Sequence, residues 1–309
     1  MKIIYATFAI IAITILSIFT FKEDLIYYNY AKYTLKNEIN PKENDYYYED
    51  VFTGLEEYKG IEIHNKEELY NTIYYLINSG TKSAKRYFSF DYIDYEKDYN
   101  ELFTQGKEEL NIINNYVHPY NTFDSIEGSL KGYALEITII YNTDYTSDRI
   151  NLINNKVDTI INDLITNEMT DREKIRKFHD YIINNTKYDE DFCVLKDQTK
   201  CVTTSPYLSD IAYGVLFEKN GICSGYTDLM AIFLDKLNIT NYRITNTDAN
   251  HIWNAVMLDG KWYHLDVTWD DPISSRDILS HDYFLITTEE DLKLEQSHNF
   301  NKEIFLEFN

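Results

Sequence analysis

Three residues in the C-terminal half have the types and spacing of a covalent acyl-transfer site. Cys223 lies in the run Asn220-Gly221-Ile222-Cys223-Ser224-Gly225, a Gly-flanked break that opens a predicted helix over Tyr226 to Leu237. A thiol there meets the positive end of a helix dipole, which favours the nucleophilic thiolate, and a nearby imidazolium favours it further. The break also exposes backbone N–H groups that could hold an oxyanion. His251 and Asp266 fall on the two strands of a predicted hairpin, His251 to Leu258 and Lys261 to Trp269, around Asp259-Gly260. Asp-Gly between strand-like runs signals a type I′ turn. With that two-residue loop Leu258 faces Lys261, so His251 would face Thr268 and Trp253 would face Asp266. All four then project from one side of the sheet, with His251 and Asp266 as diagonal neighbours about 7–8 Å apart at Cβ. A one-residue slip would put them on opposite faces. Singly, each residue has a plainer account: a small buried thiol, a strand-end histidine, an edge charge. Together they predict Cys223 as nucleophile, His251 as base and Asp266 as the group that orients it.

The segments around these residues resemble the bacterial transglutaminase-like superfamily. The resemblance rests on Gly221-Ile222-Cys223-Ser224-Gly225-Tyr226, His251-Ile252-Trp253-Asn254 and Trp262-Tyr263-His264-Leu265-Asp266-Val267-Thr268-Trp269. Tyr188-Asp189 and Ala212-Tyr213-Gly214-Val215-Leu216 add a matching lead-in, so that it covers about residues 170–288. It implies a papain-like α+β fold and the same roles for Cys223, His251 and Asp266. It also implies an aromatic side chain beside the oxyanion, for which Tyr188 is the candidate. His264 is an alternative base on the same face opposite Ala255, but the family pattern places the base in the His-x-Trp motif. Tyr226, Trp253 and Trp269 are candidates to line the site, although large aromatics in a hairpin more often fill a core. The resemblance covers crosslinking, deamidation and hydrolysis of amides, and members without activity. It suggests no cofactor and no metal, since there is no calcium loop like those of animal transglutaminases.

Upstream, Ile61 to His64 reads as a strand, Lys66 to Ile77 as a helix and Tyr133 to Tyr141 as a half-buried strand. Ile150, Ile153, Val157, Ile160, Ile161 and Leu164 form an apolar stripe at helical spacing. Thr170-Asp171-Arg172-Glu173 is a capping box, and His179 on the helix that follows is expected at its surface or in the core. Asp210 to Phe217 suggests a short helix, Tyr242 to Thr245 and His281 to Thr288 further strands.

The 309 residues suit one large domain or two small ones. A net charge of −22 without a basic stripe argues against nucleic-acid binding. Ile3 to Phe21 runs 19 positions without a charge, enough to cross a bilayer core of about 30 Å, and ends in no small-residue cleavage site. It is expected to be a single-pass anchor with the body of the protein outside the cell; a cleaved signal peptide and a secreted product are the rival. In an oxidising compartment the odd cysteine count leaves one free thiol. Cys193 and Cys201, eight residues apart, could pair with each other or stay unpaired. The expected organisation is an anchor or signal over 1–21, a partly helical stalk over 22–58, a small α+β region over 59–165 and the transglutaminase-like domain over 166–309. The expected partners are a peptide or protein substrate and the membrane. Two functions compete: an extracytoplasmic cysteine enzyme on amides, and a surface protein that binds peptides without turnover.

Overall fold

The structure is a computed structural model that describes residues 22–50, 52–105, 107–192, 205–246, 250–273, 278–294 and 298–308. The uncharged run Ile3 to Phe21 and the cysteines Cys193 and Cys201 lie outside the described residues. Among the described residues no helix is long and apolar enough to cross a membrane.

The chain divides into two units. The first takes the chain up to Tyr47, with Leu55–Asn111 and Phe123–Tyr141. Its sheet has the order β1 (Glu62–Ile63), β2 (Ser83–Phe88), β4 (Ala134–Tyr141), β3 (Phe123–Lys131); β1 is parallel to β2 and the rest are antiparallel. Helix α1 (Lys66–Asn78) starts where the Asn65 side chain accepts the Glu68 N–H. Residues 22–35 are helical, and Tyr28 donates to Glu62 (2.9 Å) and sets its ring against Tyr87, Phe90 and Tyr133.

The second unit joins Tyr48–Gly54 and Ile112–Thr122 to everything from Asn142 onward. α2 (Ser147–Leu164) buries Ile153, Val157 and Ile160 in this unit, and Tyr145 just before it donates to Asp228 (2.6 Å). Residues 112–122 belong here because Arg243 needs acceptors: its guanidinium bonds Asp228 (2.6 Å) and the carbonyls of Asn114 and Val117. Phe52 packs its ring on Tyr116 and Tyr242, which ties in residues 48–54.

α3 (Asp171–Asn185) begins at the expected Thr170–Glu173 capping box. It runs into β5 (Lys187–Tyr188), which pairs in parallel with β6 (Asn220–Gly221). α4 (Cys223–Lys236) follows at once and is buried along most of its length. A three-stranded antiparallel sheet packs on it: β7 (Asn241–Asn246), β8 (His251–Leu258), β9 (Lys261–Leu265). Asp259 and Gly260 both have positive φ, 50° and 73°, as a type I′ turn requires. Asp210 to Phe217 is helical from Ala212, which with Tyr213 leads into a π-helical turn at Gly214–Glu218. One predicted element differs. His281 to Thr288 contributes a single bridge, Ile286 to His264, and α5 (Thr288–Leu294) begins at its end, where Thr287 and Glu290 exchange hydrogen bonds as a cap.

Candidate active site

Cys223 is the first residue of α4, three positions earlier than the predicted helix start. Gly225 does not break the helix. A Cβ there would lie 2.3 Å from the Ser209 carbonyl oxygen, so glycine is needed for close approach and the helix runs through it. The N-cap residue Ile222 is extended and its apolar side chain makes no capping hydrogen bond to the first-turn N–H groups beside the thiol. Cys223 is 5% exposed.

The hairpin pairs Leu258 with Lys261 and Asn254 with Leu265, the predicted register. β9 then stops, so Asp266 and Thr268 are not strand residues as expected. The physical reason is the Asp266 side chain itself. Its Oδ1 accepts the N–H of Thr268 (2.9 Å) and of Trp269 (3.1 Å), turning the chain away from β8. The Asp266 N–H goes instead to Tyr283 O (3.1 Å). The turn leaves Oδ2 free to accept from His251 Nε2 at 2.5 Å. His251 and Asp266 thus meet as predicted, through a side-chain-built turn and not across a continued ladder.

Burial by itself would push the His251 imidazole below its ordinary value. The charge and hydrogen bond of Asp266, helped by a hydrogen bond and charge from Cys223, overturn this and raise it to about 10. Burial would raise the Asp266 carboxyl, but His251 and His298 hold it well below the usual carboxylate range. Cys223 thus bears on the same imidazole whose Nε2 is bonded to Asp266.

Tyr188 faces Gly221 across β5–β6, two residues before the nucleophile. Burial first, then the charges of Cys223, Asp189 and Asp266, push its phenol up to about 12, so it stays a neutral O–H donor. Tyr188, His251, Thr268, Trp269, Asp271, Pro272, Ile273 and Tyr283 line a cleft of about 460 Å³. Of the other candidates, Trp269 lines this cleft and stacks on His251 with ring centroids 4.8 Å apart. Trp253 and Tyr226 are fully buried, Tyr226 donating to Asp271 (2.6 Å). His264 pairs with Ala255 as expected. It accepts from Trp253 Nε1 (2.9 Å), and burial, then the positive charges of His298 and Lys302, hold it down to about 3. It is a neutral structural acceptor.

Two residues escaped the sequence reading. His298 Nε2 bonds Asp266 Oδ2 (2.8 Å), and its Nδ1 bonds Asp291 Oδ1 (2.5 Å). Its ring lies between Trp253 and Trp269, at centroid distances of 4.3 and 3.9 Å. No motif flags a histidine 32 residues beyond its partner; only the fold brings the C-terminal segment back. A second cluster, His179, Asp180 and His281, brings ligand-type atoms within 4.8 Å of one another. These atoms bond one another, Arg176 lies 3.8 Å from Asp180, and fully buried His179 also bonds Asp270 (3.0 Å). This is a cross-linking network from α3 to the segment after β9.

Residues 158–267, within the second unit, match the family model of the transglutaminase-like superfamily. The chain is similar to kyphoscoliosis peptidase of Mus musculus, 23% identical over 170 residues, and of Homo sapiens, 25% identical over 184 residues. These stretches cover 52% and 56% of this chain, which spans 25% and 28% of the length of those relatives. Among solved structures, a crystal structure of a TGase aligns over 48% of this chain and 45% of its own, with 20% identity and a TM-score of 0.32.

Proposed function

We propose that the second unit is a cysteine-dependent acyl-transfer site acting on peptide or protein amides through a thioester on Cys223. The observation that carries the proposal is His251 held between the Cys223 thiol and the Asp266 carboxylate at the wall of an open cleft. Nε2 of His251 is committed to Asp266, so Nδ1 is the nitrogen that serves the thiol. The Cys223 Sγ attacks the amide carbonyl carbon and a C–S bond forms. The oxygen becomes an oxyanion, with the uncapped first-turn N–H groups of α4 and the Tyr188 hydroxyl as its donors. The His251 imidazolium gives its Nδ1 proton to the leaving nitrogen, the C–N bond breaks and the thioester remains. His251 then takes a proton from the second nucleophile: an amine yields a crosslink, water yields deamidation or hydrolysis.

The test is incubation of the purified protein with casein and a labelled primary amine, read by mass spectrometry. Labelled, deamidated or cleaved casein from the parent, and none from Cys223→Ala, supports the proposal. A folded Cys223→Ala that keeps the parent's turnover overturns the nucleophile. A parent that binds peptide with no product and no thiol-reactive probe on Cys223 is a binding protein on the same fold. We infer further that Ile3 to Phe21 holds this domain outside the cell, motivated by its 19 uncharged residues. Protease added to intact cells then removes the domain; a full-length soluble cytoplasmic protein refutes this.

A further inference from the structure

His298 is 0% exposed, and both of its ring nitrogens face carboxylate oxygens: Nε2 to Asp266 at 2.8 Å, Nδ1 to Asp291 at 2.5 Å. An ionised carboxylate only accepts hydrogen bonds, and a neutral imidazole has only one N–H. One proton beyond the neutral ring is therefore needed, on Nδ1 or on Asp291. Asp266 decides between them. It is anionic, and its Oδ2 lies against Nε2, so a positive ring is stabilised from both ends. Indole faces above and below the ring, at 4.3 and 3.9 Å, also favour a cation.

We propose that His298 is a permanent imidazolium, held by Asp291, that positions Asp266 and tempers the basicity of His251. Neither residue touches the nucleophile or a substrate; they are positioning residues, acting through Asp266. Asp266 Oδ2 is shared by the two histidines, so a charged His298 takes part of the carboxylate's field away from His251. The two imidazoles lie 5.4 Å apart, centroid to centroid. A like charge at that distance holds a pKa down by about two pH units at an effective dielectric of about 20.

The titratable groups facing His298 among the described residues are few. They are Asp266 after β9, Asp291 on α5, His251 on β8, His264 on β9 and Tyr283, whose ring is 5.2 Å away. Burial would lower the His298 imidazole, but hydrogen bonds and charge from Asp266 and Asp291 raise it above its ordinary value. Burial pushes Asp291 up; its Oδ1 meets His298, while its Oδ2 lies 3.9 Å from His264 Nδ1 and has no hydrogen-bond partner among the described residues.

The consequence for catalysis rests on the acyl-transfer proposal, but the charge state can be read without turnover. Nitrogen-15 NMR of the full protein labelled at histidine should show both His298 nitrogens protonated at pH 8. Asp291→Asn keeps the ring and its contacts but removes the charge that holds the extra proton. One His298 nitrogen should then lose its proton, and the His251 transition near pH 10 should move up by about one to two pH units. His298→Gln should move it the same way. A role in packing alone predicts no effect from Asp291→Asn. A parent His298 with one bare nitrogen at pH 8, or an unmoved His251 transition in folded Asp291→Asn, overturns the proposal. Failure of the acyl-transfer proposal would appear separately, as Cys223→Ala turning over casein like the parent, with these spectra unchanged.

Discussion

Asp266→Asn changes the charge of the site while keeping its shape. Asp266 Oδ1 receives the N–H groups of Thr268 and Trp269, which can only donate. The asparagine oxygen must occupy that position, which puts its NH2 where Oδ2 was. There it meets His251 Nε2 at 2.5 Å and His298 Nε2 at 2.8 Å, donor against donor. His251 escapes the clash by giving up its Nε2 proton and keeping the one on Nδ1. Nδ1 is the nitrogen that must accept the thiol's proton, so the tautomer is wrong for catalysis. In the serine protease triad the equivalent change lowers kcat by about 10⁴. The electrostatics here agree in size: holding His251 at about 10 and not at 6.5 is worth roughly 5 kcal/mol. Without the Asp266 charge, burial is the strongest influence left and His251 falls below its ordinary value. The expected result is turnover reduced by about 10³–10⁴, less than the complete loss in Cys223→Ala. Alkylation of Cys223 by iodoacetamide should also lose its imidazolium-assisted rate at neutral pH. If Asp266→Asn melts like the parent, stays within about tenfold of its turnover and keeps its alkylation profile, Asp266 does not orient His251.

Tyr188→Phe removes one oxyanion donor and should lower kcat by about 10²–10³ with KM little changed, measured by steady-state kinetics; an unchanged kcat removes Tyr188 from the mechanism. His264→Ala orphans the buried Trp253 N–H and should cost about 1–3 kcal/mol in denaturant unfolding, while turnover at saturating substrate persists. Arg243→Met leaves Asp228 buried without its ion pair and should cost about 3–5 kcal/mol at pH 8. Burial already raises the Asp228 carboxyl, and loss of Arg243 raises it further. A carboxyl raised in the folded state binds its proton more tightly there than in the unfolded chain, so stability is lost as pH climbs from the unfolded value toward the folded one. The Arg243→Met deficit should therefore be smaller at pH 5 than at pH 8; equal deficits refute the account.

The hairpin was legible because its information is local. Asp259-Gly260 sets the turn, the turn sets the register, and the register puts His251 and Asp266 on one side. The capping box at Thr170 and the helix after Cys223 were legible for the same reason. Misread elements were those where a side chain or a distant atom overrides local pattern. β9 ends early because Asp266 bonds its own downstream backbone. Gly225 looked like a helix breaker but is required by the Ser209 carbonyl, 16 residues away. Residues 48–54 and 112–122 carry no periodic signal, and it is distant partners, among them Arg243 for 112–122 and Tyr242 for Phe52, that explain their place in the second unit. His298 and Asp291 were invisible because a buried imidazole is recruited by geometry and not by a motif.

The indole sandwich has a spectroscopic consequence. The chain holds three tryptophans, and two of them, Trp253 and Trp269, lie flat against the same imidazole. The third, Trp262, meets Tyr242 edge-on. A protonated imidazole quenches an indole that it touches, and a neutral one does so far less. The native emission should therefore come mainly from Trp262. Any event that strips the proton from His298, or swings the C-terminal segment away, should brighten the other two. The protein's own tryptophans would thus report the charge of His298 optically and without a label.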